Sequence, residues 1–299
     1  MSPSPLAFLL QSAARALGGT RLLIDEPVSG ITRLRLSSRT TRFNGMETAA
    51  YLVGPVLVDT GFVHAAAPLL SFLADRNLSA IVLTHHHEDH AGSCGPLAAR
   101  NRCPVFLRNP DRRFDEGLAD LKPYRRLWWG EPEPYAPDPM PARIEADSTT
   151  LLPVPIPGHS ATHTALLDEA TNAVFTGDLY ITGGATAVMS HENPFESIAS
   201  LRRIADLEPR VMLTGHALLV ESPAASLRRK ADAIESAANR VLSLHASGAR
   251  VGEIVRRVFP HGRANDLFLE WITSGEFSRS CFVRACLGWA PTPEQRAAM

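Results

Sequence analysis

The sequence is short of the features that most readily announce a protein class, and each shortage excludes something. Its four cysteines (Cys94, Cys103, Cys281 and Cys286) form no CxxC pair, so a cysteine-built structural zinc is not expected, and scattered free thiols suit a reducing compartment. Cys281 and Cys286 lie five apart on an expected helix and read as packing residues rather than ligands. No apolar run reaches the length of a membrane span; Pro5-Leu6-Ala7-Phe8-Leu9-Leu10 is far too short. That stretch has neither a basic lead-in nor a small-residue cleavage site, so a secretory leader is not expected and the cytoplasm is the expected compartment. Leu6, Leu9, Leu10, Ala13 and Leu17 instead suit one face of a short amphipathic helix ending at Gly18-Gly19. The net charge is only −1, which gives no global field to recruit nucleic acid or an acidic membrane. Charged residues make up 20%, too few for a disordered chain, and no internal repeat is visible. There is no GxSxG elbow to carry a serine nucleophile.

What is present begins with size. At 299 residues and 45% hydrophobic content, the chain can build one large domain with an appendage or two modest domains. Leu22–Ile24, Ile31–Leu36, Thr48–Val53 and Val56–Asp59 read as strands, with Gly54-Pro55 as a hairpin turn. Ala65–Arg76 reads as a helix, Ala80–Thr84 and Val105–Leu107 as strands, and the segment after His90 as a helix through Leu97 to Arg100. This alternation predicts an α/β architecture. From 108 to 143 seven prolines exclude continuous regular structure, and Tyr124, Trp128, Trp129 and Tyr135 raise the aromatic density well above the chain's 7%. Such an insertion serves either as a lid or substrate wall or as a loop fastened to the core by its aromatics. Strands resume at Thr150–Val154, Ala165–Leu167, Ala173–Thr176 and Val211–Thr214, with a helix over Phe195–Leu207. Beyond Ser222 the pattern is almost wholly helical: Leu227, Ala231, Ile234, Ala238, Val241 and Leu242 repeat every 3.6 residues, and two shorter helices follow over Val251–Phe259 and Ser278–Leu287. The expected division is therefore a catalytic domain over 1–222, with 108–143 as a lid-like insertion, and a helical unit over 223–299.

The richest stretch is Thr84-His85-His86-His87-Glu88-Asp89-His90, which crowds imidazoles and carboxylates behind the apolar strand Ile81-Val82-Leu83. If the strand exit stays extended, His85 and His87 share a face while His86 points elsewhere. One metal can take His85 and His87, and a second can take Asp89 and His90. Three further apolar strands end in a metal-capable residue just after a glycine: Pro157-Gly158-His159, Thr176-Gly177-Asp178 and Thr214-Gly215-His216. Strand ends of one sheet converge on one edge, so such distant residues can meet.

These motifs, His85-x-His87-x-Asp89-His90, Gly158-His159-Ser160, Thr176-Gly177-Asp178 and Gly215-His216, preceded by Val58-Asp59-Thr60-Gly61, resemble the ordered metal motifs of metallo-β-lactamase-fold hydrolases. The resemblance covers roughly residues 22 to 220. It implies a four-layer αββα sandwich with the metals at one edge of its two sheets, followed here by a small, mostly helical, winged-helix-like C-terminal unit. It implies His85, His87 and His159 on one cation, Asp89, His90 and His216 on the other, and Asp178 bridging both. Imidazole and carboxylate ligands suit zinc, iron or manganese, and zinc is the first expectation. His163 resembles the companion histidine of a GHxxGH pattern, with Thr162 in place of the usual glycine; it either orients a ligand or is hydrogen-bonded in the adjacent loop. Asp59 either supports a ligand from behind or caps the following turn.

By the same resemblance the nucleophile would be a hydroxide held between the two metals and hydrogen-bonded to Asp89, with a metal polarising the substrate oxygen. Tyr180, two residues past Asp178, is the nearest proton donor if the chain stays extended there; otherwise it is a wall residue. The implied activity is cleavage of a small ester, thioester or lactone, close to the glyoxalase II-like branch, although the helical C-terminal unit departs from glyoxalase II. A true β-lactamase generally lacks an aspartate at the place of Asp178, and a three-ligand sulfur dioxygenase would leave Asp89 and His90 without a purpose. The alternative is an RNA-processing metallo-ribonuclease. Ten arginines and lysines against six carboxylates over 227–287 give that segment a modest positive excess, so nucleic acid is not the expected partner. The expected partner is a small-molecule substrate, with no membrane; the C-terminal unit otherwise covers the core's edge or mediates a homodimer. A non-catalytic metal-binding scaffold is the least economical reading of a complete ligand set.

Overall fold

The structure is a computed structural model that describes residues 19–43, 45–114, 121–181, 183, 187–260, 267 and 270–289. The helix expected over Leu6–Leu17 and the segment around His261 lie outside the described residues. In chain order the elements are β1 (Arg21–Val28), β2 (Ile31–Ser37), α1 (Arg39–Phe43), β3 (Thr48–Val53), β4 (Val56–Val58), α2 (Ala66–Phe72), β5 (Ala80–Val82), α3 (Glu88–Ala91) and α4 (Cys94–Asn101). Then come β6 (Val105–Leu107), α5 (Pro123–Trp128), β7 (Asp138–Pro139), β8 (Ile144–Ala146), β9 (Thr149–Pro155), β10 (Thr164–Asp168), β11 (Ala173–Phe175), β12 (Val188–Met189) and α6 (Pro194–Asp206). The last are β13 (Val211–Leu213), β14 (Leu219–Glu221), α7 (Ala224–Ala246), α8 (Val251–Val258), β15 (Phe277–Ser278) and α9 (Arg279–Gly288).

Two compact units interleave along the chain. The first comprises Met1–Pro155, Thr162–Ile181 and Pro209–Ser222; the second comprises Ile156–Ala161, Thr182–Glu208 and Pro223–Met299. In the first unit, β1 to β7 form one sheet in sequence order, and β14-β13-β11-β10-β9-β8 form another. The pairs β4–β5, β5–β6 and β11–β13 are parallel, so these strands deliver their carboxyl ends to one edge of each sheet.

The alternation of side chains shows why these short apolar runs are strands. Leu57, Ile81 and Leu83 face the helices, where they pack with Leu69 and Leu73 of the α2 region and Leu97 of α4. Val56, Val58 and Val82 face the other way and pack with Leu151, Leu166, Phe175 and Leu213 of the second sheet. A strand covered on both faces reads as an unbroken apolar run, which is what the sequence carries at 80–83. Each such fully buried aliphatic contributes roughly 1.5–3 kcal/mol. The architecture is thus α/β, with two sheets face to face and helices over the outer face of the first.

Two local expectations need correction. The helix expected over Ala65–Arg76 is only Ala66–Phe72, entered through a 3-10 turn at Val63–Ala65. The proline-rich insertion holds a helix, α5, because Pro123 stands in its first turn, where the missing N–H costs nothing. In the second unit α6 lies against α7, whose buried face is Leu227, Ala231, Ile234, Ala238 and Val241, as the 3.6-residue period predicts. Ser278 caps α9 by accepting the Cys281 N–H at 3.0 Å. Cys281 and Cys286 are buried free thiols, and burial pushes that of Cys286 up to about 12, so neither belongs to a candidate metal group among the described residues. Among the described residues no helix is long and apolar enough to cross a membrane.

Candidate metal centre

In the first unit, strand exits that are far apart in sequence are tied edge to edge by hydrogen bonds. The Thr84 N–H and hydroxyl both donate to the Asp59 carboxylate at 2.8 Å, joining the ends of β4 and β5. The Gly215 N–H donates to Gly177 O at 2.8 Å, joining the ends of β11 and β13. Across the sheets, the Ala49 N–H donates to Gly215 O at 2.7 Å, and the buried Tyr51 hydroxyl donates to Thr214 O at 2.6 Å. Burial pushes the Tyr51 phenol up, so it stays a donor. The glycine before each ligand has a spatial cause here. A Cβ on Gly215 would fall 2.4 Å from His90 Cε1 and 2.7 Å from Asp178 Oδ1, and one on Gly177, at φ +47°, would fall 2.7 Å from Thr84 Oγ1.

The result is a cluster in which Asp89, His90, Asp178 and His216 each offer a ligand atom, all within 4.8 Å of one another. His90 Nε2 lies 3.1 Å from Asp178 Oδ1 and 3.6 Å from Asp89 Oδ2. His216 Nε2 lies 3.3 Å from Asp178 Oδ2 and 3.7 Å from Asp89 Oδ2. Bonds of 2.0–2.1 Å to a tetrahedral cation would set its ligand atoms about 3.3 Å apart. The donor set therefore fits a divalent cation in both chemistry and spacing.

Both imidazoles are turned toward that point from behind. His90 Nδ1 sits 3.1 Å from Asp59 Oδ2, and His216 Nδ1 sits 2.9 Å from the backbone carbonyl of Glu47, which leaves each Nε2 to the cluster. Asp59 thus holds the His90 ring as well as the Thr84 turn. The electrostatics make the same point through protons. Burial pulls His90 down, but the Asp178 and Asp89 carboxylates outweigh it and hold the ring well above its ordinary value; His216 is raised against burial by Asp178 in the same way. Burial pushes Asp178 up, yet His216 and His90 hold it well below the usual carboxylate range. Two buried carboxylates demand positive charge, and protons on the imidazoles supply it when no metal does.

His85 and His87 are two further metal-capable side chains of the first unit. In the first unit the buried His85 ring lies 4.5 Å from that of His87 and 4.3 Å from that of His90, centroid to centroid, so His85 adjoins the cluster above and His87 adjoins His85. His85 Nδ1 is 3.0 Å from Thr84 Oγ1. His159 belongs to the second unit, where its Nδ1 stands 3.3 Å from Glu192 Oε2, while Glu192 Oε1 accepts the Met189 N–H at 2.8 Å. His163 Nε2 accepts the Asp178 N–H at 3.3 Å and so steadies that residue from its backbone. Thr162, which stands where the motif has a glycine, places its hydroxyl 3.0 Å from His86 Nδ1, and that ring meets His87 edge-on at 5.1 Å.

The chain does not stay extended past Asp178 as expected: Gly177–Leu179 is a 3-10 turn, so strand alternation gives no reason for Tyr180 to share the face of Asp178. Three contributors were not visible in the sequence: the Glu47 carbonyl behind His216, Glu192 beside His159, and the buried pair Glu88–Arg125.

A family model described as the metallo-beta-lactamase superfamily matches residues 44–216, more than half of the chain, and its span ends on His216. The chain belongs to the metallo-beta-lactamase superfamily. Within that superfamily it is 35% identical over 157 residues to a hydroxyacylglutathione hydrolase of Cupriavidus taiwanensis, covering 50% of this chain and 54% of that protein. It is 28% identical over 209 residues to an atrochrysone carboxyl ACP thioesterase of Aspergillus fumigatus, covering 65% and 58% respectively. A protein solved in a di-iron-bound form is 30% identical, with a TM-score of 0.52, over 62% of this chain and 94% of that one. This superfamily member spans about half to two thirds of the length of the curated relatives it matches.

Proposed function

We propose that this chain is a dinuclear metal-dependent hydrolase acting on a small acyl compound, with thioesters first, then esters and lactones. The observation that carries the reading is the buried quartet Asp89, His90, Asp178 and His216, whose nitrogen-to-oxygen separations of 3.1–3.7 Å suit one cation. His85 and His87 with His159 are proposed to hold the second, and Asp178 to reach both. Divalent cations held there would lower the pKa of a water toward about 7 and polarise a substrate carbonyl. The chain's own residues hold the geometry: Asp59 and the Glu47 carbonyl orient His90 and His216, and His163 fixes the backbone of Asp178. Asp89, at 7% exposure, is proposed to accept a hydrogen bond from the attacking water.

The thioester preference rests on relatives named for hydrolysing an acylglutathione and for thioesterase activity. Zinc is the first choice of metal; iron is weighed beside it because one relative was solved with two irons. The test couples metal analysis to a panel of thioesters, esters, lactones and RNA on one preparation. Two metals per chain and turnover of an acyl substrate are expected. Two metals with RNA cleavage and no acyl turnover would replace this reading with the ribonuclease one. By its nearness to Asp178 in sequence alone, Tyr180 is the proposed leaving-group proton donor, and in that role Tyr180→Phe should slow an oxygen ester by about a hundredfold, the lower end for general-acid catalysis, and a thioester less. Equal rates for Tyr180→Phe and the native chain on both would remove that role.

A further inference from the structure

Glu88 stands between His87 and Asp89 in the turn α3 and is almost wholly buried. Its carboxylate takes both forks of Arg125, an equally buried residue of α5, with Nε 2.5 Å from Oε1 and Nη2 2.6 Å from Oε2. A bidentate guanidinium–carboxylate pair fixes orientation as well as distance. Successive residues of a helical turn leave the axis about 100° apart, so holding the Glu88 carboxylate also sets the direction in which Asp89 points.

α5 is itself pinned beside this loop. His64 Nε2 is 3.0 Å from Arg126 O, and the His64 N–H donates to Trp129 O at 3.3 Å. The Trp129 ring meets Phe62 edge-on at 5.2 Å, and its centroid lies 6.5 Å from the ring of His216. Gly130, at φ +87°, permits the approach: a Cβ there would fall 2.6 Å from Val63 Cβ.

We propose that Arg125 is a positioning residue for the metal loop, and that α5 is a fixed wall beside the metal centre rather than a lid that swings. Opening such a lid would pull apart a fully desolvated ion pair and leave each charge without its partner. The proposal rests on reading the quartet as a metal site, and it gives Arg125 its role through Glu88.

The test compares the native chain with Arg125→Lys and Arg125→Met, each loaded with cobalt(II). Measured are cobalt affinity, the visible absorption spectrum as a report on ligand geometry, and kcat and KM on the acyl substrate. Arg125→Met should bind cobalt roughly 10- to 100-fold more weakly, the range for loss of a residue that supports ligands. Arg125→Lys keeps the charge but cannot fork onto both oxygens, so it should fold, show a shifted spectrum and raise KM several-fold. If Arg125→Met fails to fold, the lysine variant decides. A folded lysine variant with native spectrum, affinity and KM overturns the proposal while leaving the hydrolase reading intact. Failure of the native chain to take up cobalt sinks both.

Discussion

The ion pairs beside the metal centre of the first unit and those between α6 and α7 of the second stand in opposite surroundings. In the first, Glu88 and Arg125 meet with side chains only 2% and 5% exposed, and Asp59 meets His90 at 1% and 0%. In the second, Arg202 pairs with Glu235 at 41% and 43% exposure, and Arg228 pairs with Asp206 at 46% and 70%. Water screens the exposed pairs, and holding two long side chains together costs entropy that offsets most of their attraction, so they fasten α6 to α7 only weakly. The buried ones have lost their water, so each partner is indispensable to the other. The pairs around Glu88 and Asp59 are interior, whereas those between α6 and α7 lie at the surface.

The contrast can be broken at its strongest point first. Asp178→Ala should cost the chain at least one metal and cut turnover by more than about a hundredfold, the upper range for residues one shell further out; metal analysis with a rate assay decides. Full loading with undiminished turnover would remove Asp178 from the centre. A second test uses pH. Metal binding must displace protons from His90 and His216, whose pKa values are raised, so occupancy should fall as pH drops through that raised range. The fall should reach about tenfold per pH unit for each proton displaced, read by competition with a chelator. An affinity flat between about pH 6 and 8 would mean these rings are not ligands.

Asp59→Asn sharpens the comparison. Asp59 has φ +57°, a region asparagine also tolerates, so the substitution removes charge without forcing the backbone. Metal affinity should drop about 10- to 100-fold by the same chelator competition. An unchanged affinity would demote Asp59 to a turn residue. The smallest effect belongs to the second unit: Arg202→Ala should change unfolding free energy by less than about 1 kcal/mol in urea. A loss of several times that would show that the exposed network matters as much as the buried one.

What the sequence disclosed and what it hid follow from the same physics. Asp178 and His216 were legible because a metal-capable side chain that ends an apolar strand interrupts a pattern, and the glycine before each records how close the next chain comes. Glu88 and Arg125 are 37 residues apart and obey no period, so nothing local announces that they meet. Glu47 contributes its backbone carbonyl, which any residue could offer. α5 hid behind Pro123, read as a breaker when it stood where a helix begins. Tyr180 illustrates the reverse error: an extended continuation was assumed where the chain coils into a 3-10 turn.

Position 215 has one more consequence. With the nearest atoms of His90 and Asp178 at 2.4 and 2.7 Å from where a Cβ would sit, even alanine would press its methyl into the His90 ring and the Asp178 carboxylate. The meeting of these two side chains therefore depends on the absence of a single carbon, and every inherited change away from glycine at that codon must push one of them aside.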